Sequence, residues 1–158
     1  MSNSDPTRWK QRLQQFRKAK TRLSEALVDG YKVLGCLEQE GVIQRFEYTF
    51  ELAWKVLKDL LFYEGFDVKS PRDVIRQAFE SDYLTAEDTE IALVALEKRN
   101  LLTHTYEEKT MLEALELIQN QFQNQFHPLL NRLLNTLDQK AELYYGSAAA
   151  RPRYLTRG

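Results

Sequence analysis

The sequence predicts an all-α fold, a bundle of four long helices with a small extra helix between the second and the third. Apolar residues recur at three- and four-residue steps along most of the chain, the spacing that places side chains on one face of a helix. No segment shows the alternation of a half-buried β-strand, and four prolines and six glycines are too few for a fold made of many short strands and turns. A chain of 158 residues suits one domain with a single core.

The first two long helices are predicted from their apolar stripes. One helix is expected between Pro6 and Asp29, with Gly30 placed to end it and a stripe made of Trp9, Leu13, Phe16, Leu23 and Leu27. A second is expected from Val42 to Tyr63, with Gly65 as its C-terminal cap. Its stripe is wide enough to imply burial on more than one side and includes Ile43, Phe46, Phe50, Trp54, Leu57 and Leu61. Glu51 and Lys55 stand in the favourable i, i+4 order on this helix.

Capping residues mark the starts of two further helices. Ser70 before Pro71 predicts a short helix through Phe79, and Thr85 predicts the start of a longer one with Ile91, Leu93, Val94 and Leu96 as its apolar residues. A last helical pattern from about Thr110 to Leu137 uses Leu112, Leu115, Phe122, Phe126, Leu129 and Leu133. His127-Pro128 interrupts this pattern and predicts a kink, since proline lacks the N–H that an inner helical turn requires.

Composition narrows the classes of function. We expect the bundle to occupy residues 1–140, and residues 141–158 to form a basic, mobile tail whose arginines are Arg151, Arg153 and Arg157.

The net charge of -1 gives no overall attraction to nucleic acid, so any RNA contact must be local. The single cysteine, Cys36, excludes an intramolecular disulfide and is expected to be buried and inert. The chain lacks a signal-peptide pattern, which predicts a cytoplasmic protein, and it shows no convincing metal or cofactor motif.

One stretch carries chemically versatile residues: Arg99-Asn100-Leu101-Leu102-Thr103-His104-Thr105-Tyr106. Arg99 suits bidentate phosphate binding, His104 exchanges a proton near neutral pH, and Asn100 could fix a phosphate or orient the histidine. On a regular helix Arg99 and His104 would lie about 500° apart and would not share a face. Either the helix breaks between them or two chains combine their copies. From spacing alone, a structural role for the histidine remains the more common outcome.

These residues resemble the signature of the HEPN superfamily (higher eukaryotes and prokaryotes nucleotide-binding domains), in which Arg, four residues, His, any residue and Tyr follow one another. Two further segments, Gln44 to Lys58 and Ser70 to Phe79, resemble its subfamily of nucleotidyltransferase substrate-binding proteins. The resemblance spans roughly Trp9 to Leu134. It implies an up-and-down bundle of four to five helices that dimerises and is encoded beside a minimal nucleotidyltransferase, with which it forms a complex.

The same resemblance implies roles for individual residues. Some relatives are ribonuclease toxins that a partner transferase neutralises by adding AMP to the motif tyrosine. Carried onto this chain, Arg99 and His104 would bind and cleave RNA without a metal, Asn100 would assist, and Tyr106 would be the modified residue. Arg45, Arg72 and Arg76 are our candidates for additional contacts to phosphate.

Three functions stay open from the sequence. The chain could be a subunit that binds a nucleotide or substrate for a partner transferase, a metal-independent ribonuclease toxin of a toxin-antitoxin system, or a helical homodimer that only scaffolds the transferase. The complete Arg99, His104 and Tyr106 motif favours retained chemistry over a pure scaffold. Phe46, Phe50 and Trp54 are expected in the core rather than on a base-stacking surface, Tyr48 is expected to face outward, and His127 is expected to be structural.

Overall fold

The computed structural model describes residues 6–101 and 108–146, and all of the secondary structure within them is helical. The elements in chain order are α1 (Pro6–Leu27), a 3₁₀ turn (Tyr31–Val33), α2 (Cys36–Tyr63), α3 (Pro71–Glu80), α4 (Ala86–Leu101), α5 (Glu108–Gln121), a π-helical turn (Phe122–Phe126) and α6 (His127–Tyr145). The prediction of an all-α bundle is confirmed. The long helices are α1, α2, α4 and the continuous run from α5 to α6, and α3 is the small additional helix.

Helix α2 is the centre of the bundle. It packs against α1, α3, α4 and α5, which explains why its apolar stripe is too wide for a helix with only one buried face. Val56, Leu60 and Leu61 are almost completely buried, and Phe46 and Phe50 pack near Phe126 of the π-helical turn. None of the described helices combines the length and apolar character needed to cross a membrane.

The helix ends follow the local chemistry of the sequence. Ser70 Oγ accepts a hydrogen bond from the Asp73 N–H at 3.1 Å, and Thr85 Oγ1 accepts one from the Asp88 N–H at 3.0 Å, so both predicted N-caps are confirmed. Gly65 adopts φ 101°, and the Phe66 N–H reaches back to the Leu61 carbonyl at 2.8 Å. This is the capping pattern that glycine permits after a helix C-terminus.

The connection between α1 and α2 is held by α5. Gly30, at φ 83°, lets the chain turn after α1 into the 3₁₀ segment. There the Tyr31 N–H donates to Gln119 Oε1 at 2.9 Å, and the Tyr31 hydroxyl donates to Glu116 Oε2 at 2.6 Å. These contacts hold the 3₁₀ segment against α5.

The predicted disturbance at His127-Pro128 takes the form of a π-helical turn. Pro128 lies in the first turn of α6, where its missing N–H is tolerated, and the widened turn at Phe122–Phe126 comes directly before it. Helix then continues past residue 140, which we expected to end the bundle, to Tyr145.

Some expectations about burial were wrong. Cys36 is exposed because α2 begins six residues before its apolar stripe and this first turn projects from the bundle. Val94 and Leu112 are also exposed, whereas Ala92, Ala95 and Ala114 occupy the core beside them. Small residues at these positions let the helices approach closely, a role that a reading based on large apolar residues misses.

Candidate functional site

Arg99, the predicted phosphate-binding cation, lies in the last turn of α4 and is paired with Glu51 of α2. Its Nη2 group donates a hydrogen bond to Glu51 Oε2. The side chains are 26% and 29% exposed, so the ion pair is partly shielded from water. The contact joins the end of α4 to the middle of α2.

Several hydrogen-bond donors contact the carboxylate of Glu51. Trp54 Nε1 donates to Oε2 at 3.1 Å, and Lys55 Nζ lies 3.3 Å from Oε1, which confirms the predicted i, i+4 pair. Desolvation acts to raise the pKa of Glu51, but the Trp54 hydrogen bond and the charges of Arg99 and Lys55 together lower it. The carboxylate is therefore held in its ionised form.

Glu47, one turn before Glu51, adds a second carboxylate near Arg99. Desolvation raises the pKa of Glu47, and the positive charge of Arg99 partly opposes this shift. We refer to Glu47, Glu51, Lys55 and Arg99 as the α2/α4 charge cluster. It combines two carboxylates and two cations, so a phosphate group that binds Arg99 Nη2 competes with the Glu51 oxygen.

Asn100 lies beside Arg99, as the sequence predicted. Its Oδ1 accepts a hydrogen bond from Arg99 Nη1 at 3.1 Å, so the amide and the carboxylate together fix the orientation of the guanidinium. The remaining predicted site residues, His104 and Tyr106, lie outside the described residues, as do the tail arginines Arg151, Arg153 and Arg157.

Arg45 lies in a separate groove between α1 and α2. The groove has a volume of about 240 Å³ and is lined by Gln15, Lys18, Ala19, Arg22, Arg45 and Tyr48. We call it the basic groove because three of its lining residues are cations and none is acidic. Arg45 Nη1 donates to the backbone carbonyl of Arg22 at 3.4 Å, which directs its guanidinium toward α1. Tyr48 is 53% exposed, in agreement with the expectation that it faces outward.

Arg72 and Arg76 occupy the exposed face of α3. They lie on a different helix from Arg45 and Arg99 and form no described hydrogen bond with either. The structure thus distributes the candidate cations over three places: the basic groove, the charge cluster and α3. Lys18 and Arg22, which complete the groove, were not singled out in the sequence.

A second cavity opens where the chain passes from α1 to α2. It has a volume of about 510 Å³ and is lined by Glu25, Ala26, Val28, Asp29, Val33, Leu34, Leu37, Glu38, Gly41 and Arg45. We call it the apolar cleft, since Val28, Val33 and Leu37 expose 73%, 70% and 83% of their surface. Glu25, Asp29 and Glu38 give its border a negative charge. Clustered exposed apolar side chains with a polar border are typical of protein interaction sites.

Within residues 6–101 and 108–146, no group of three or more His, Cys, Asp or Glu side chains is arranged to hold a metal ion. His127, read as structural, is half-buried on α6, where desolvation and the charge of Lys20 lower the pKa of its imidazole.

Comparisons with known proteins agree with the helical architecture. Residues 11–135 match the model of a family described as nucleotidyltransferase substrate binding protein like. Among solved structures, the chain is similar to a protein from Thermus thermophilus known from a crystal structure. The identity is 33%, the match covers 77% of this chain and 98% of that one, and the TM-score is 0.65. A comparison with curated proteins gives no significant match. The family match covers most of the described bundle, and the chain therefore belongs to the family of nucleotidyltransferase substrate binding protein-like proteins.

Proposed function

We propose that this chain is the substrate-binding subunit of a two-component nucleotidyltransferase. In this arrangement the helical bundle holds a nucleotide or substrate, and a separate minimal nucleotidyltransferase performs the transfer. The family to which the chain belongs supports the general role. The apolar cleft is the observation that carries the partnership, because it offers a surface on which a second protein could dock.

The cleft favours a partner of defined chemistry. Val33 and Leu37 would be covered by apolar side chains of the transferase, and the border of Glu25, Asp29 and Glu38 would face lysines or arginines. Leu37 lies in the first turn of α2 and is too exposed to contribute to the core. Its replacement therefore tests docking without threatening the fold.

Co-purification with a minimal nucleotidyltransferase, which the resemblance predicts to be encoded beside this chain, tests the proposal. Leu37→Ser should weaken the complex by about tenfold or more, since a central apolar contact of an interface is lost. Leu143→Ser is the matched control, because Leu143 on α6 is 69% exposed and lies outside the cleft. Equal retention of the partner by wild type and Leu37→Ser would overturn docking at the cleft. The absence of any complex with the wild-type chain would overturn the two-component role itself.

A second candidate function is a metal-independent ribonuclease that acts as a toxin. It is favoured by the contact of Arg99 with Asn100 at the end of α4, because these two residues open the segment that carries His104 and Tyr106. In this mechanism His104 helps the ribose 2′-hydroxyl to attack the adjacent phosphate, and Arg99 stabilises the negative charge that develops on the phosphoryl oxygens. A homodimer would supply Arg99 and His104 from two chains.

Modification of Tyr106 would switch such a site off. AMP on the phenol would add bulk and negative charge beside Arg99 and so obstruct the entry of a phosphate. Mass spectrometry of the chain after co-expression with the transferase, combined with an RNA cleavage assay of each form, tests this candidate. An AMP-sized addition at Tyr106, with cleavage by the unmodified form alone, supports the toxin. Full cleavage by an Arg99→Ala, His104→Ala double variant would overturn it.

A further inference from the structure

The basic groove brings three cations together, of which Arg45 also lines the apolar cleft that holds Glu25 and Glu38. Lys18 and Arg22 come from α1 and Arg45 comes from α2, and none of them forms an ion pair with a described carboxylate. This differs from the neighbouring arginines of α1, since Arg12 pairs with Asp59 and Arg17 pairs with Asp138. Like charges held together repel one another, and a bound anion would relieve that repulsion.

The groove is shaped by the close packing of α1 on α2. Gln15, Lys18 and Arg22 recur at i, i+3 and i+7 and therefore share one face of α1, with the small buried side chain of Ala19 between them. The hydrogen bond from Arg45 Nη1 to the Arg22 carbonyl holds one part of the guanidinium. Its other N–H groups have no described protein acceptor and remain available to a phosphate oxygen.

An aromatic ring stands beside these cations. Tyr48 follows Arg45 by three positions on α2, so both side chains project from the same face. The ring is more than half exposed, which leaves a surface on which a nucleobase could stack. Gln15 supplies an amide that can donate and accept hydrogen bonds across the groove.

We infer that the basic groove binds a nucleoside triphosphate, with Lys18, Arg22 and Arg45 on the phosphates and Tyr48 against the base. The groove measures about 240 Å³, less than the roughly 300–1,000 Å³ of pockets that enclose a small ligand, so it would hold the phosphates of one nucleotide and leave the base on the exposed Tyr48. A long RNA strand is usually followed by an extended basic track with several stacking residues. This inference deepens the proposed function, because a nucleotidyltransferase consumes a nucleoside triphosphate, and it rests on that function for its biological meaning.

Binding of ATP to the purified full-length chain, measured by isothermal titration calorimetry, tests the inference. The Lys18→Ala, Arg22→Ala double variant should lose about tenfold or more in affinity, since two charge-assisted contacts disappear, and unlike Arg45 neither residue lines the apolar cleft. The Lys32→Ala, Lys69→Ala double variant removes the same charge from exposed positions outside the groove and should change the affinity by less than about twofold. Circular dichroism of each variant confirms that the helical content is unchanged.

A second comparison isolates the role of the ring. Tyr48→Ala should weaken ATP binding by about fivefold or more while leaving the affinity for inorganic tripolyphosphate unchanged, because only ATP has a base to stack. Equal losses for both ligands would overturn the stacking arrangement. Equal losses in the groove variant and the Lys32, Lys69 control, or no binding of ATP at millimolar concentration, would overturn the site.

Binding of single-stranded oligouridylate tests whether the groove holds an RNA strand instead of a nucleotide. Tighter binding of this RNA than of ATP, lost in the Lys18, Arg22 variant, would replace the nucleotide with an RNA strand as the occupant. Failure of the groove is distinguishable from failure of the proposed partnership. Leu37→Ser should lose the transferase and keep ATP, whereas the groove variant should lose ATP and keep the transferase.

Discussion

The guanidinium of Arg99 donates to the carboxylate of Glu51, a residue 48 positions earlier in the chain. This contact gives the arginine of the motif a protein partner before any ligand is present. It orients the guanidinium and lowers its availability, because a phosphate must compete with Glu51 for the Nη2 donor. Glu51 thus acts as a built-in competitor for anions at the end of α4.

Replacing Glu51 should release Arg99. Glu51→Gln removes the negative charge but retains a side-chain oxygen that can accept from Trp54, so the local packing is preserved. We expect the affinity for a short single-stranded RNA to rise by about threefold, since partly exposed ion pairs contribute up to roughly 1 kcal/mol. Fluorescence anisotropy at low ionic strength measures the change. Glu47→Gln, which removes a carboxylate that has no described hydrogen bond to Arg99, should give a smaller gain.

The double variant Glu51→Gln, Arg99→Ala decides whether Arg99 causes the gain. If the affinity still rises when Arg99 is absent, the effect comes from the general loss of negative charge, and the competition between Glu51 and phosphate is contradicted.

A second ion pair of α1 serves stability. Arg12 Nη1 lies 2.7 Å from Asp59 Oδ2, and the Asp59 side chain is only 6% exposed. Burial raises the pKa of Asp59, and the nearby charges of Arg12, Arg8 and Lys58 oppose that shift without cancelling it. A carboxyl with a raised pKa favours the folded state most at low pH. This contribution is lost as the pH rises through the pKa of the folded state.

Arg12→Ala should therefore lower the free energy of unfolding by about 2–4 kcal/mol at neutral pH, because it leaves a buried carboxylate without its partner. The loss should shrink at about pH 5, where the unpaired Asp59 takes up a proton more readily. Urea unfolding at the two pH values measures both effects. Arg17→Ala is the control. It breaks the ion pair of Arg17 with Asp138, in which the two side chains are 42% and 43% exposed, and should lower the free energy of unfolding by less than about 1 kcal/mol. Equal losses for the two variants would contradict the role assigned to burial.

The sequence predicted the features that depend on local chemistry. Ser70, Thr85 and Gly65 cap their helices as expected, because a cap involves residues only a few positions apart. The burial of Cys36 was predicted wrongly, since the first turn of α2 projects from the bundle and no local pattern reveals this.

The candidate site was only partly predictable for the same reason. Arg45, Arg99 and Asn100 were named, but the Glu51 partner of Arg99 depends on how α4 packs against α2. Lys18 and Arg22 look in the sequence like ordinary solvated charges on the polar face of α1. They become a groove only when α1 packs beside Arg45 and Tyr48.

Glu64, the C-cap residue directly after α2, joins three parts of the chain. The hydroxyls of Tyr83 and Tyr144 both donate to Glu64 Oε2, and Lys140 Nζ lies 3.9 Å from the same oxygen. The hydrogen bond to Glu64, together with burial and the negative charge of this carboxylate, raises the pKa of Tyr144 to about 12. Burial and the same carboxylate also raise the pKa of Tyr83.

These shifts predict loss of stability in alkali. A tyrosine whose pKa is raised by folding contributes stability that is complete below its ordinary pKa of 10.0, and the contribution is lost as the pH rises toward 12. Ultraviolet absorbance should therefore show a late-titrating class among the eight tyrosines, coupled to a fall in helical circular dichroism. Glu64→Gln should move this class toward ordinary titration and lower the free energy of unfolding by about 1–2 kcal/mol at neutral pH. Tyr144→Phe should remove one member of the class and leave Tyr83 in it. Titration of all tyrosines in a single step near pH 10 would contradict the Glu64 arrangement, because neither hydroxyl would then be held by the carboxylate.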